Sequence, residues 1–235
     1  MTASPAESLV PYYAQWESAA LVPAFVTGAM SAADDPLWQK SGADSVEEYA
    51  FWARRMCGVA CLRMVLDHWG LDVPPSVPLV RELEAAGAYV RDGEQVKGLI
   101  YRPFADHVAR RWGLHARVAP ELALTGIRQE IAAGRLVMIS VHPGIRTPGA
   151  EPPGRGGHLV LVVGADAEGV ELNNPSGFPG VSQQHARVSW AGLERFYAGR
   201  GIVLGRTARG PAAPLSRGGE RRRSASGQGA AEAAR

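Results

Sequence analysis

Cys57, His158 and Asn174 are the residues of this 235-residue chain whose types and spacing point to chemistry. A thiol nucleophile needs a base to take its proton and return it to a leaving group. The base in turn needs a third group to fix its tautomer and orientation. Cys57 opens an amphipathic stretch in which Cys57, Cys61, Met64, Val65 and His68 share one helical face and Gly70 supplies a stop. A cysteine at a helix N-terminus faces the positive end of the dipole and unpaired amide N–H groups, which favour the thiolate. The same pattern also suits a buried structural cysteine. His158 is the best placed of six histidines, because it begins an apolar run directly after Gly156-Gly157. Sixteen residues on, Asn174-Pro175 follows the return strand of a hairpin, which folds it back toward the start of the first strand. An asparagine there accepts the imidazole N–H bond without carrying a charge.

Rivals exist for each role. His142, at a strand end before Pro143, is the alternative base, and Cys61, one turn below Cys57, is the alternative nucleophile, with core packing its ordinary reading. His68 suits the negative end of the cysteine helix. His107 and His115 read as surface residues, and His185 lies in a polar loop.

The run Cys57-Gly58-x-Ala60-Cys61-Leu62-x-Met64-Val65 resembles the catalytic-cysteine segment of the C39 peptidases, a papain-like clan that includes bacteriocin-processing proteases. The run Gly157-His158-Leu159-Val160-x-Val162-x-Gly164 is similar to the segment carrying that family's catalytic histidine, and Asn174-Pro175 matches its Asp-or-Asn before proline. The resemblance spans about residues 45–205. It implies Cys57 as nucleophile, His158 as acid and base, Asn174 as orienter, a thioester intermediate and a peptide or protein substrate. The family also carries a glutamine about six residues before the cysteine, whose amide helps bind the oxyanion. Position 51 here is Phe51, and Gln39 is too distant for the same local geometry. That leaves the Cys57 backbone N–H and the Trp52 indole N–H as expected donors. The missing glutamine keeps an inactive peptide-binding pseudoenzyme open as an alternative, and an acyltransferase is a second one, because the same triad and thioester would serve it.

Composition fits a soluble globular protein, with 46% hydrophobic and 20% charged residues. The acid-bearing N-terminus has no signal-peptide pattern, and no apolar run is long enough to span a membrane, so a cytoplasmic location is expected. Two cysteines four apart make neither a disulfide framework nor a zinc site, and no cofactor is expected. The net charge of +2 is asymmetric: residues 206–235 carry seven arginines against two glutamates, leaving −3 on residues 1–205. Arg221–Arg223 read as a solvated end, and nucleic-acid binding is not expected.

The elements that must position the site are read from pattern and punctuation. Residues 1–44, with Tyr12, Tyr13, Trp16 and Trp38, read as an arm packed on the core. Ser45-Val46-Glu47-Glu48 has capping-box spacing for a short helix. Helices are expected over Cys57–Trp69, Leu79–Ala86, Tyr101–Trp112 and Glu121–Ala133, with Pro74–Pro78 as a rigid connector. The period then changes. Buried strands are expected at Arg135–His142 and His158–Ala165, a return strand at Val170–Asn173, a helix over Trp190–Tyr197 and a last strand at Gly201–Gly205. Helices first and an antiparallel sheet second make an α+β, papain-like layout over residues 45–206, followed by a disordered basic tail at 207–235.

Overall fold

A computed structural model describes residues 9–207. Residues 1–8 and, Thr207 apart, the expected basic tail lie outside the described residues. The helical half holds α1 (Val22–Thr27), α2 (Val46–Ala53), α3 (Cys57–His68), α4 (Ser76–Ala85), α5 (Tyr101–Trp112) and α6 (Leu124–Ala132). Ser45 caps α2, its Oγ accepting the Glu48 N–H at 3.2 Å, while the Glu48 carboxylate accepts from the Asp44 N–H instead of the Ser45 N–H of an ideal capping box. Gly70, at φ +65°, ends α3, and the Leu71 N–H returns to the Leu66 carbonyl at 2.9 Å. One expectation is corrected here. The proline-rich connector is shorter than its composition suggests, because α4 begins at Ser76 and takes Pro78 into its first turn. The first amides of a helix have no intrahelical acceptor, so a proline there forfeits no bond.

The sheet half holds β3 (Leu114–Ala119), β4 (Leu136–Val141), β5 (His158–Ala165), β6 (Gly169–Asn173), β7 (Ala186–Ser189) and β8 (Tyr197–Arg206), with α7 (Trp190–Phe196) between the last two. Before it, β1 (Val90–Asp92) and β2 (Gln95–Lys97) make a separate small hairpin. The six strands pair in the order β3-β8-β4-β5-β6-β7, every pair antiparallel. This is the α+β arrangement expected from the change of period.

Both faces of the central strands are covered, which explains their unbroken apolar runs. On one face Met138, Leu159 and Leu161 join the buried core of α3, α4 and α5. On the other, Val137, Ile139, Val160 and Val162 pack with Ile127 of α6 and Leu193 and Phe196 of α7. Alternate residues of one strand serve different cores, as the two-residue period of a strand requires. Among the described residues no helix is long and apolar enough to cross a membrane.

The N-terminal segment contributes to the first core. Trp16 is buried and stacks on Phe25, ring centroids 5.6 Å apart. Farther along, buried Asp35 accepts from Ser18 and from the Tyr49 hydroxyl of α2, which ties the segment to the helical half.

Candidate active site

A cavity of about 680 Å³ opens where the N-terminus of α3 meets the start of β5, and both Cys57 and His158 line it. Cys57 is the first residue of α3, half-buried, while Cys61 one turn on is fully buried with its thiol 3.8 Å from the Leu159 carbonyl. Gly156 and Gly157, at φ +84° and +94°, swing the chain into β5 so that His158 is its first residue. Two successive left-handed positions of this kind favour glycine strongly.

His158 is buried and tied to Asn174, with its Nε2 2.8 Å from the Asn174 Oδ1. The hairpin accounts for the meeting: Leu161 pairs with Asn173, so Asn174 lies just past the ladder, close to the beginning of β5. The network also fixes the proton. The Ser176 backbone N–H must donate, and it donates to the Asn174 Oδ1 at 3.1 Å, so this atom is the carbonyl oxygen. His158 Nε2 therefore carries the hydrogen, and Nδ1 keeps the lone pair that makes it the basic nitrogen.

Ser176 adds a second tie, its Oγ 3.0 Å from His158 Nε2. Arg146 holds Ser176 in place, its Nε donating at 2.9 Å to both the backbone carbonyl and the Oγ. Arg146 reaches this point because Val141, the last residue of β4, pairs with His158, and a 3-10 turn over Pro143–Arg146 follows at once.

The electrostatics run against the thiolate that the helix end favours. Burial pushes the Cys57 thiol up, against smaller downward pulls from backbone hydrogen bonds at Leu159, Gly58 and Cys57 and from the Arg146 charge. Burial also drives His158 down to about 4, helped by the positive Arg146 and opposed by the Asn174 hydrogen bond. Desolvation is the largest influence on both groups, and it favours their neutral forms, thiol and imidazole.

The rivals are placed elsewhere. His142 is not among the residues lining the cavity, and its Nδ1 accepts the Gly144 N–H at 3.0 Å. His68 is depressed by burial at the end of α3. His107 is less exposed than its pattern suggests, lying 3.0 Å from Glu82 and edge-on to Trp112. His115 is exposed, and His185 bonds Glu171. Trp52 is buried edge-on against Phe51 and Tyr89 and does not line the cavity.

The glutamine in the cavity is one that local spacing misses. Gln15, buried, comes from the N-terminal segment and lines the cavity with Cys57, whereas Gln39 is exposed. One Nε2 hydrogen of Gln15 goes to the Ala53 carbonyl at 3.0 Å, which leaves the second without a partner among the described residues. The signal was the aromatic cluster around it, Tyr12, Tyr13 and Trp16, which marks a segment pinned to the core.

A helix-borne cysteine set against a strand-borne histidine, on an α+β scaffold of this order, is a papain-like arrangement. The chain belongs to the Peptidase_C39 like family, whose model matches residues 9–201. Among solved structures it is similar to the peptidase domain of Streptococcus ComA, a bi-functional ABC transporter involved in quorum sensing. That match has 19% identity and a TM-score of 0.45 over 66% of this chain and 93% of the other. A second similar structure is described as a C39-like peptidase from Bacillus anthracis, with 18% identity and a TM-score of 0.48 over 66% and 90%. No curated protein matches the chain.

Proposed function

We propose that this protein is a cysteine peptidase or amidase acting on a peptide through Cys57, His158 and Asn174. The observation that carries the reading is the buried 2.8 Å pairing of Asn174 with His158, which lines the same cavity as Cys57. As the Cys57 Sγ attacks the scissile carbonyl, His158 Nδ1 takes the thiol proton, and Asn174 holds the ring and its Nε2 hydrogen in place. The carbonyl oxygen becomes an oxyanion. In this reading the free Nε2 hydrogen of Gln15 and the Cys57 backbone N–H, an orphan at the first position of α3, donate to it. The tetrahedral intermediate collapses to a thioester as His158 returns the proton to the departing amine. Water, deprotonated by the same nitrogen, then releases the acid and regenerates the thiol.

Gln15 in the cavity supplies an amide that the sequence around Cys57 lacks, which favours an active enzyme over a pseudoenzyme. Membership of a peptidase family favours hydrolysis over transfer to an amine. The test is digestion of a complex peptide library by the purified chain, with products read by mass spectrometry. New termini from the wild type that vanish in both Cys57→Ala and His158→Ala support the reading. A digest identical between wild type and Cys57→Ala overturns it.

A further inference from the structure

We propose that the cavity is built to receive a carboxylate, so that the peptide cleaved carries an acidic group beside the carbonyl that Cys57 attacks, with Arg146 as its main receptor. This rests on Cys57 as nucleophile and adds the substrate class. Four arginines line the cavity, namely Arg54, Arg55, Arg146 and Arg200, and no aspartate or glutamate does so among the described residues. None of the four is paired with a carboxylate there. By contrast Arg63, Arg81, Arg111, Arg117, Arg135 and Arg187, away from the cavity, each have one within 4 Å. Positive charge concentrated in this way is not a property of the whole molecule, since residues 1–205 sum to −3.

Arg146 is the most specific of the four. Its Nε is committed to Ser176, which fixes the plane of the guanidinium, while its two terminal amino groups have no hydrogen-bond partner among the described residues. A half-buried guanidinium, pre-oriented and with its outer donors free, matches the fork geometry of a carboxylate. It is near enough to the nucleophile for its charge to pull the Cys57 thiol down. Arg55 is held from behind by the carbonyls of Phe51 and Glu94, and exposed Arg200 stands at the rim beside Ser140 and Tyr101. The neutral His158 adds no positive charge near pH 7, so attraction for an anion there comes from the arginines. In a peptide, such a carboxylate is either an acidic side chain or a chain end.

The test compares alkylation of Cys57 by iodoacetate and by iodoacetamide, which differ chiefly in charge, on the full chain at pH 7 and read by peptide mass spectrometry. The ratio of the two rates cancels any change in the thiol itself. Relative to free cysteine, the wild-type ratio should favour iodoacetate by about tenfold at low salt, because a cleft of one sign concentrates the opposite ion. It should fall about threefold or more in Arg146→Gln and in Arg200→Gln, and in wild type at 1 M salt, where the Debye length shrinks to about 3 Å. Arg200 is on the surface, so its variant reads the field even if Arg146→Gln does not fold. A wild-type ratio at or below that of free cysteine, or one that neither variant changes, overturns the proposal. Failure of the nucleophile reading looks different: iodoacetamide labelling of Cys57 would then be indifferent to His158→Ala. Protection of Cys57 by three acetylated tripeptides assigns the source. Protection by an amidated peptide with a central glutamate indicates a side chain, and protection by a neutral peptide with a free C-terminus indicates a chain end. Equal protection by the neutral amidated peptide counts against a carboxylate site altogether.

Discussion

The backbone N–H of Gln15 donates to the carbonyl of Pro175 at 2.9 Å, which clips the N-terminal segment to the residue after Asn174. Two more ties run alongside: the Tyr12 hydroxyl donates to the Asn174 carbonyl at 3.0 Å, and the Asn173 side-chain amide donates to the carbonyls of Val10 and Pro11 at 3.3 Å. The segment therefore does two things at once. It carries an amide into the cavity and braces the loop whose Asn174 bonds His158.

Gln15→Ala is expected to lower kcat by about 10²–10³ on any peptide the library digest returns, the usual cost of one oxyanion donor. The exposed Gln39 serves as the control, and Gln39→Ala should leave the rate unchanged. Similar losses in both variants would argue against the assigned donor.

Alkylation of Cys57 by iodoacetamide should rise with pH through and beyond the ordinary thiol value of about 8.5, with no plateau in acid, because burial holds the thiol up. Rapid labelling below pH 6 would mean that a thiolate is present at rest and that desolvation has been overcome.

Acid stability should depend on His158. Its folded-state value of about 4 lies below the ordinary 6.5, so the unfolded chain binds this proton more readily. Its contribution is intact above about pH 6.5 and is lost as pH falls toward 4. Denaturant midpoints measured across that window should slope less steeply in His158→Asn than in wild type.

Asn173→Ala removes a fully buried side chain whose amide holds the N-terminal segment and whose oxygen accepts the His185 N–H at 2.9 Å. Buried backbone partners lose their bonds, so a cost of about 1–3 kcal/mol is expected in chemical denaturation. Met138→Ala, at a fully buried point on the α3 side of β4, should cost about 2–5 kcal/mol. By comparison, breaking the exposed Arg102–Asp106 pair with Arg102→Ala should cost about 0.5 kcal/mol or less.

Much of this was legible because it is local. The three- and four-residue spacing from Cys57, the double glycine before His158 and the return of the hairpin to Asn174 each follow from near neighbours in sequence. Gln15 was not legible by the same route, since it stands forty-two positions before Cys57 and is held at the cavity by contacts distant in sequence, among them Ala53 and Pro175. The β1–β2 hairpin was missed for a different reason: its six residues are mostly exposed and lack an apolar alternation, leaving only the Asp92-Gly93 turn as a sign. The upward push of burial on the Cys57 thiol was not legible either, because a helix end is visible in sequence and burial is not.

The last strand, β8, lies between β3 and β4 in the middle of the sheet. A ribosome releases the chain from its N-terminus, so β3 and β4 emerge long before the strand that joins them. In the proposed mechanism Gln15 and Cys57 likewise wait for His158 and Asn174. On that mechanism any hydrolytic capacity is withheld until nearly all of the described chain has been made, and a truncated translation product would carry Cys57 without its partners.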